Sequence, residues 1–372
     1  MQKKVLLVAA ARPNFMKVAP IYRELKNNDG VFAPVLVHTG QHYDLNMSDA
    51  FFSDLELPPP DIHLGTGSGT HAEQTAKVMV EMEKVCVNER PDWVLVVGDV
   101  NSTMASAITA AKLSIPVAHV EAGLRSRDKT MPEEINRLVT DSIADLLLTP
   151  SRDASENLLK EGHDGDKISL VGNVMIDSLE FVRPKVRTNG RSEQLGLKPH
   201  EYALLTLHRP SNVDDPVSLK NILDKIVTSS GDMDIVFPVH PRTEVTLRKS
   251  GALDGKRYGT LKFVEPLGYL DFIGMQMKAK FVVTDSGGVQ EETTYLGVPC
   301  LTLRTTTERP VTITEGTNEL VSPGSLAESI ERIRRGLWKK GRIPEFWDGK
   351  TAQRIVEAIT RSSLWQAERH GA

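Results

Sequence analysis

The 372-residue chain has little of what would set it apart from ordinary globular proteins. Its only cysteines, Cys86 and Cys300, lie in patterns typical of a helix and a strand, so neither a disulfide nor a metal site is expected. The formal net charge of −4 leaves no polybasic surface for nucleic acid. No apolar run approaches the roughly 20 residues that cross a bilayer. We therefore expect a globular protein that binds neither nucleic acid nor membrane.

Two further signals are missing near the N-terminus. Lys3-Lys4 followed by Val5–Ala11 resembles a very short signal peptide, but Arg12-Pro13 follows at once, and a buried first strand is the favoured interpretation. A cytoplasmic location is expected on that basis. The turn after this strand has no G-x-G-x-x-G pattern, which argues against a nicotinamide or flavin, so we expect no cofactor.

Strand-like apolar runs alternate with helical patterns along almost the whole chain, which is typical of parallel α/β sheets covered on both faces. A polar stretch near 183–199 interrupts this alternation. The sequence therefore predicts an α/β fold of two Rossmann-like, doubly wound domains that face each other across a cleft. The predicted domains are residues 1–170 and 171–351, with a helix at 352–367 packing back on the first domain. Strands are predicted at 5–10, 35–39, 93–98, 117–121, 146–149, 202–207, 235–239, 261–264, 281–284 and 300–303.

Charged residues follow the first and third predicted strands, at the edge where such sheets bind ligands. Arg12 and Lys17 bracket a helix start and can contact phosphate or carboxylate, although ordinary surface charge is the alternative. Asp99 follows the third strand and either contacts a substrate or caps the next helix. These positions favour a binding site without excluding a structural role.

Three glutamates form a second acidic group. Glu121 ends an otherwise apolar strand, which a structural role explains poorly. Glu133 and Glu134 follow Pro132 at a predicted helix start, where they also suit the helix dipole. Carboxylates that converge raise one another's pKa and can then act as acids and bases near neutral pH.

The second predicted domain carries histidine and arginine at two strand ends, His208-Arg209 and His240 with Arg242. A lone histidine is usually structural, but this repeated pairing favours an anion site, more strongly for His208 than for His240.

The run Thr284–Glu292 is the most informative segment of the chain. It reads as a strand end, a turn with Gly287 and Gly288, and a helix start whose free backbone N–H groups suit a diphosphate. Glu292 follows one turn later, where a carboxylate can accept hydrogen bonds from sugar hydroxyl groups. Arg309, after the last predicted strand, can supply a counter-charge.

Together these residues closely resemble the non-hydrolysing UDP-N-acetylglucosamine 2-epimerase family. The resemblance covers nearly the whole chain, and it implies a glycosyltransferase-B-like fold, a homodimer and interconversion of UDP-GlcNAc and UDP-ManNAc without nicotinamide. The matching segments are Arg12-Pro13 with Lys17, Gly98-Asp99, His119–Arg125, Pro132-Glu133-Glu134 with Asn136-Arg137, His208-Arg209, Thr284–Glu292 and Thr307–Pro310.

The resemblance also implies roles for single residues. The family eliminates UDP to give 2-acetamidoglucal and then adds it back, and which carboxylate serves which face of C2 stays open. Glu292 would bind the ribose and Phe272 would lie near the uracil. The implied catalytic residues are Asp99, Glu121, Glu133 and His208, and the residues implied to hold UDP and sugar are Arg12, Lys17, Ser286, Gly287, Gly288 and Arg309.

The sequence departs from the family at Asn14, where glutamate is frequent, and at Tyr43, where many bacterial members have arginine. Four alternatives remain at this point. They are an epimerase of a UDP-2,3-diacetamido uronic acid, a hydrolysing 2-epimerase that releases ManNAc and UDP, a glycosyltransferase of the same fold, and a non-catalytic nucleotide-sugar binder.

Overall fold

The computed structural model describes residues 2–10, 12–40, 53–186, 190–239, 241–249 and 258–365, and only the backbone of residues 12, 241 and 242. The chain divides into two compact units, Met1–Phe181 with Glu345–Ala372, and Val182–Pro344. The division therefore falls after residue 181, whereas the sequence predicts it after residue 170.

The first unit contains a seven-stranded parallel sheet with strand order β3-β2-β1-β4-β5-β6-β7. Its strands are β1 (Lys3–Ala9), β2 (Phe32–His38), β3 (Ile62–His63), β4 (Trp93–Val97), β5 (Val117–Val120), β6 (Leu146–Thr149) and β7 (Ile168–Leu170). Its helices are α1 (Arg12–Asn27), α2 (His71–Glu89), α3 (Asn101–Lys112), α4 (Pro132–Ile143), α5 (Arg152–Lys160), α6 (Val174–Val182) and the C-terminal α15 (Thr351–Arg361), with a 3-10 turn at Gly165–Lys167.

The second unit contains a six-stranded parallel sheet with strand order β10-β9-β8-β11-β12-β13. Its strands are β8 (Tyr202–Thr206), β9 (Asp234–Pro238), β10 (Leu261–Val264), β11 (Phe281–Thr284), β12 (Cys300–Thr302) and β13 (Asn318–Leu320). Its helices are α7 (Arg191–Gln194), α8 (Pro210–Val213), α9 (Pro216–Ser230), α10 (Pro241–Lys249), α11 (Tyr269–Lys278), α12 (Gly287–Leu296), α13 (Val311–Thr314) and α14 (Leu326–Arg334), with a 3-10 turn at Arg183–Lys185.

Both sheets are doubly wound, so the predicted α/β class with two Rossmann-like domains is confirmed. In each sheet the chain runs outward in one direction and then returns to the middle to run outward in the other. The strand order reverses between β1 and β4 in the first unit and between β8 and β11 in the second. In sheets of this kind, ligands bind beyond the carboxyl ends of the strands that flank the reversal.

The central strands are apolar because helices cover both of their faces. Leu6, Val94 and Leu147 are fully buried in the first unit, and Leu205 and Val283 in the second. Cys86 and Cys300 are both buried and free, and burial raises the pKa of each thiol to about 11.

The C-terminal helix α15 lies in the first unit, where it contacts α1. Its buried face carries Ile355 and Ile359, and Asp177 of α6 caps its N-terminus by accepting bonds from the backbone N–H groups of Thr351 (3.1 Å) and Ala352 (2.7 Å). Burial raises the pKa of this carboxyl to about 6. The helix ends at Arg361, and residues 366 and 367 of the predicted span lie outside the described residues.

Candidate active site

The predicted site residues fall into two groups, one at the strand-order reversal of each unit. In the first unit, Lys17 belongs to the helix that follows β1, Asp99 follows β4, and Glu121 follows the neighbouring β5. The predicted position of these residues at the carboxyl edge of the sheet is therefore confirmed.

Glu121 and Lys17 form a buried ion pair. Nζ of Lys17 lies 2.5 Å from Oε2 of Glu121, and both side chains are less than a tenth exposed. Oε1 of Glu121 is buried and has no hydrogen-bond partner among the described residues. The backbone of Glu121 has φ +72°, a left-handed conformation that a non-glycine residue rarely adopts and that is found most often at functional sites. A carboxylate with one oxygen tied to a cation and the other unsatisfied is available to accept a proton from a ligand.

Gly98 provides the space above this ion pair. Its φ is +71°, and a Cβ atom there would lie 3.1 Å from Nζ of Lys17 and 3.6 Å from Oε2 of Glu121. Asn14 also reaches this turn, because its side-chain amide donates to the carbonyl oxygen of Val97 at 3.1 Å. A larger residue at position 98 would crowd the charged groups, which explains the glycine.

Asp99 is held by α4 and does not cap α3, whose N-cap residue is Val100. Arg137 donates to one oxygen of Asp99, Oδ2, from both Nη2 (2.7 Å) and Nε (3.1 Å). The side chain of Asn136 donates to the backbone carbonyl of Asp99 at 2.9 Å. Asp99 is therefore anchored through its backbone and Oδ2, while its side chain stays 27% exposed.

The two glutamates that open α4 have different surroundings. Glu134 is buried and pairs with Arg137 at 2.5 Å. Its carboxylate also accepts hydrogen bonds from the backbone N–H groups of Ser126 and Arg127, and these bonds hold the loop before the helix. Glu133 is half-buried and makes no hydrogen bond or ion pair within the described part of the chain. Of the two, Glu133 is the carboxylate left available to a ligand.

A buried histidine–aspartate pair that the sequence did not reveal lies beside this turn. Nδ1 of His119 is 2.6 Å from Asp141, and Nε2 donates to the carbonyl oxygen of Gly98 at 2.9 Å. Burial acts to raise the pKa of Asp141, but the charges of His119 and Arg125 outweigh it and hold that pKa below its usual range. His119 thus supports the Gly98 turn from within the sheet.

In the second unit, β8 and β11 flank the reversal and carry His208 and Asp285 just beyond their ends. Nδ1 of His208 lies 2.8 Å from Oδ1 of Asp285. The imidazole is half exposed, whereas Asp285 is fully buried. Burial acts to raise the pKa of Asp285, but its bonds with His208, Asn212 and the backbone of Arg209 hold that pKa below its usual range.

The glycine-rich turn leads directly into α12, as the sequence predicts. Ser286 is the N-cap residue but makes no side-chain cap bond, and Gly287 and Gly288 form the first turn of the helix. A Cβ atom at Gly287 would lie 2.7 Å from Nη1 of Arg309 and 2.9 Å from a carboxylate oxygen of Glu308. Glycine at this position lets Arg309 pack directly beneath the turn.

Arg309 is part of a buried charge cluster and not a solitary cation. It pairs with Glu291 at 2.7 Å and with Glu308, while Arg304 pairs with Glu308 at 2.8 Å. Two arginines and two glutamates therefore balance one another under the helix start. The counter-charge that the sequence assigned to Arg309 is already neutralised within the described cluster.

Glu292 lies on the buried side of α12, one turn beyond the glycines. It is 3% exposed, and Gln276 of α11 donates to its Oε2 at 2.6 Å. Burial, with the nearby charge of Glu291, raises the pKa of Glu292 to about 7. Phe272 lies four residues before Gln276 on the same helix face and is partly buried against the sheet core.

Some predicted residues lie outside what the structure describes. His240 and Tyr43 are not described, and the side chains of Arg12 and Arg242 are not described either, although Arg12 is the first residue of α1. Across the described ranges, no three His, Cys, Asp or Glu side chains are grouped to hold a metal ion. None of the described helices has the length and hydropathy needed to span a membrane.

Two doubly wound parallel sheets with charged groups at both strand-order reversals define an α/β enzyme. The family model for UDP-N-acetylglucosamine 2-epimerase matches residues 23–360. A UDP-N-acetylglucosamine 2-epimerase from Methanocaldococcus jannaschii is 42% identical over 368 residues, which cover 96% of this chain and 99% of the relative. A UDP-2,3-diacetamido-2,3-dideoxy-D-glucuronate 2-epimerase from Pseudomonas aeruginosa is 38% identical over 96% of this chain and 99% of the relative.

Among solved structures, the M. jannaschii UDP-GlcNAc 2-epimerase in complex with UDP-GlcNAc and UDP matches with a TM-score of 0.86 and 43% identity, covering 96% of this chain and all of that one. The chain belongs to the UDP-N-acetylglucosamine 2-epimerase family, and the resemblance seen in the sequence motifs is confirmed. It is an epimerase.

Proposed function

We propose that this epimerase interconverts UDP-GlcNAc and UDP-ManNAc without releasing free sugar. One observation carries the proposal: in a chain of this family, acid–base side chains occupy the strand-order reversal of the first unit, and a histidine beside an anion-binding turn occupies that of the second. That combination suits a reaction that moves a proton at carbon and a diphosphate at the next carbon.

The chemistry explains why both kinds of group are needed. C1 of such a sugar is an acetal carbon, so the C2 hydrogen is not acidic enough for simple removal. In the elimination, a base takes the C2 proton, the C–H electron pair forms the C1=C2 double bond, and the C1–O pair leaves on the diphosphate oxygen. UDP then adds back to C1 of 2-acetamidoglucal while a proton reaches the opposite face of C2. Acid–base groups and leaving-group stabilisation must therefore act together.

The first unit supplies the groups for proton transfer in this proposal. Glu121, one of whose carboxylate oxygens has no hydrogen-bond partner among the described residues, acts on the C2 proton together with Glu133. Asp99 acts beside them, held by Arg137 through Oδ2. Lys17 and Arg12 supply positive charge for the UDP-sugar.

The second unit holds the nucleotide in this proposal. The N–H groups of Gly287 and Gly288 bind the diphosphate together with the side chain of Ser286, whose own backbone N–H already donates to Oγ1 of Thr284 at 3.0 Å. Arg309 supports that turn from below. Glu292 accepts hydrogen bonds from the ribose hydroxyl groups, and Phe272 lies against the uracil. His208 hydrogen-bonds or protonates the departing diphosphate oxygen through Nε2.

The decisive experiment is NMR of UDP-GlcNAc with the enzyme in heavy water. We expect deuterium at C2 and the growth of UDP-ManNAc, because the C2 proton exchanges with solvent during the elimination. Stoichiometric UDP with free ManNAc would establish a hydrolysing enzyme instead. Deuterium incorporation only with the UDP-2,3-diacetamido uronic acid would mean that the substrate is the sugar named for the P. aeruginosa relative. No deuterium incorporation with either sugar would refute the proposal.

Variants test the site assignment separately from the reaction. His208→Asn and Glu133→Gln should each lower turnover by orders of magnitude with folding retained, because each removes a proton-transfer group. Glu201→Gln is the matched control, since Glu201 is 66% exposed and pairs only loosely with Lys198 at 3.7 Å. Unchanged turnover in either site variant would contradict the assignment.

The proposal includes a homodimer and a cytoplasmic location, as predicted from the resemblance and the sequence. Light scattering of the purified chain tests the first of these, and cell fractionation tests the second. A monomer that turns over at the full rate would exclude any need for a partner subunit.

A further inference from the structure

Asp285 is enclosed by donors that come mostly from one segment of chain. Its Oδ2 accepts the backbone N–H of Arg209 (2.9 Å) and the side-chain amide of Asn212 (3.0 Å). The backbone N–H of His208 lies between the two carboxylate oxygens, at 3.2 and 3.1 Å. The remaining acceptor position, on Oδ1, faces Nδ1 of His208 at 2.8 Å.

These contacts determine which nitrogen of His208 is free. Asp285 is ionised, because its bonds hold its pKa below the usual range, so its oxygens can only accept. Nδ1 of His208 must therefore carry the hydrogen, and in the neutral ring Nε2 is the lone-pair nitrogen. The imidazole is half exposed, which leaves Nε2 accessible to a ligand.

The same residue also ties the histidine to the diphosphate turn. Asp285 immediately precedes Ser286, the N-cap residue of α12, and its carbonyl oxygen accepts Nε of Arg209 at 3.0 Å. Residues 208–212 thus wrap around one end of the glycine-rich turn. Any movement of Asp285 would shift the imidazole relative to the helix start.

We propose that Asp285 is a positioning residue that keeps His208 in the Nδ1–H form and aims Nε2 at the diphosphate bound by the Ser286–Gly288 turn. This inference rests on the proposed function only in giving His208 a leaving group to act on. The tautomer itself is a property of the protein without substrate. The two can therefore be tested apart.

The first test is NMR of the wild-type protein labelled with 15N-histidine, at a pH where the ring is neutral. The two-bond proton–nitrogen correlations distinguish the tautomers, and His208→Asn identifies the signals. We expect His208 to be protonated on Nδ1. A ring protonated on Nε2 would overturn the proposal, whatever the activity of the enzyme.

The second test is Asp285→Asn, for which the contacts predict the outcome. Oδ2 of Asp285 accepts more N–H donors than Oδ1 does, so the amide oxygen of the asparagine should take the Oδ2 position. The amide nitrogen then takes the Oδ1 position and faces Nδ1 of His208. Nδ1 must then accept, and the hydrogen moves to Nε2. We expect a kcat reduced by about 10³–10⁴-fold, as for an aspartate-to-asparagine change that reverses a catalytic histidine. UDP affinity should change by less than about threefold, because the turn is intact.

Asp215→Asn is the matched control, because Asp215 caps α9 on the same unit and asparagine caps equally well. It should leave kcat and the His208 tautomer unchanged. An Asp285→Asn protein that binds UDP and keeps kcat within a few-fold of wild type would overturn the positioning role. If Asp285→Asn does not fold, the NMR measurement of the His208 tautomer in the wild-type protein alone decides whether the proposal holds. An active His208→Asn enzyme would instead refute the proposed function of His208 and leave the tautomer result standing.

Discussion

Glu292 should make the folded protein less stable as the pH rises through neutrality. Its carboxyl is 3% exposed and has Gln276 as a neutral donor and Glu291 as a neighbouring like charge. Tyr269 also faces it, and burial raises the pKa of that phenol well above 10, so it stays neutral. Replacing Glu292 by glutamine removes the charge, keeps the side-chain volume and leaves an oxygen to accept from Gln276.

The size of the effect follows from the pKa of Glu292, raised from 4.5 to about 7. A carboxyl with a raised pKa contributes its stability below its unfolded pKa and loses it as pH rises through the folded one. The raised pKa lowers the free energy of unfolding by about 3 kcal/mol at pH 8, where the carboxyl ionises inside the fold, and by about 1 kcal/mol at pH 5, where only the unfolded chain gains from ionisation. Glu292→Gln should therefore raise the free energy of unfolding by about 3 kcal/mol at pH 8 and by about 1 kcal/mol at pH 5.

Urea unfolding of the ligand-free protein at both pH values measures this difference. The exposed Glu201→Gln serves again as the control and should change the free energy of unfolding by less than about 0.5 kcal/mol at either pH. A Glu292→Gln protein that is no more stable than wild type at pH 8 would refute the reasoning. So would a gain of equal size at pH 5 and pH 8, because the gain would then not come from ionisation.

Three further predictions concern the same two sites and one structural glycine. If the ribose binds ionised Glu292, UDP-GlcNAc affinity should fall about tenfold from pH 8 to pH 6 in calorimetry, and Glu292→Gln should abolish that slope. Lys17→Met should lower the free energy of unfolding by about 3–5 kcal/mol by leaving Glu121 charged and buried, and adding Glu121→Gln should restore most of it; no recovery would mean that lost packing is responsible. Gly123→Ala should lower it by about 2–4 kcal/mol, because φ is +80° and a Cβ would lie 2.2 Å from a backbone carbonyl oxygen. Gly162→Ala is the control, because Gly162 has φ +89° and open space around it, so only the backbone strain remains. It should lower the free energy of unfolding by less than Gly123→Ala does.

Most of the sheet could be predicted because its central strands are buried on both faces. Leu146–Thr149 and Phe281–Thr284 were predicted to the residue, since each is an apolar run between polar neighbours. Leu261–Val264 was also predicted to the residue, although it is an edge strand that is mostly half-buried and contains Lys262. The edge strands β3, β7 and β13 were missed. They have only two or three residues and are largely half-buried, so no apolar run marks them.

The site was predicted as a set of positions but not as a set of partners. The rule that ligands bind at strand carboxyl ends locates Asp99, Glu121 and His208 at the right edges of their sheets. Which cation meets which carboxylate depends on backbone geometry that has no sequence signal. The left-handed backbone at Glu121 is an example, because no glycine marks it. Asp141 was missed for a similar reason, since it lies inside a helix far along the chain from His119.

Three polar side-chain pairs at the strand-order reversals share a feature that fold stability alone does not explain. Glu121 with Lys17, Asp99 with Arg137, and His208 with Asp285 each join groups from different connections of the sheet. A buried ion pair such as Glu121 with Lys17 stabilises a fold little more than apolar side chains of the same size would, because both charges lose their hydration. What such contacts add is placement: Lys17 and Arg137 each anchor one oxygen of a carboxylate, and Asp285 determines the protonated nitrogen of His208. A strained backbone at Glu121 and a destabilising charge at Glu292 point the same way, because both are unfavourable for folding and occur where the reaction needs a placed charge. The reversals are thus the part of each sheet where chemistry, and not packing, determines the side chains.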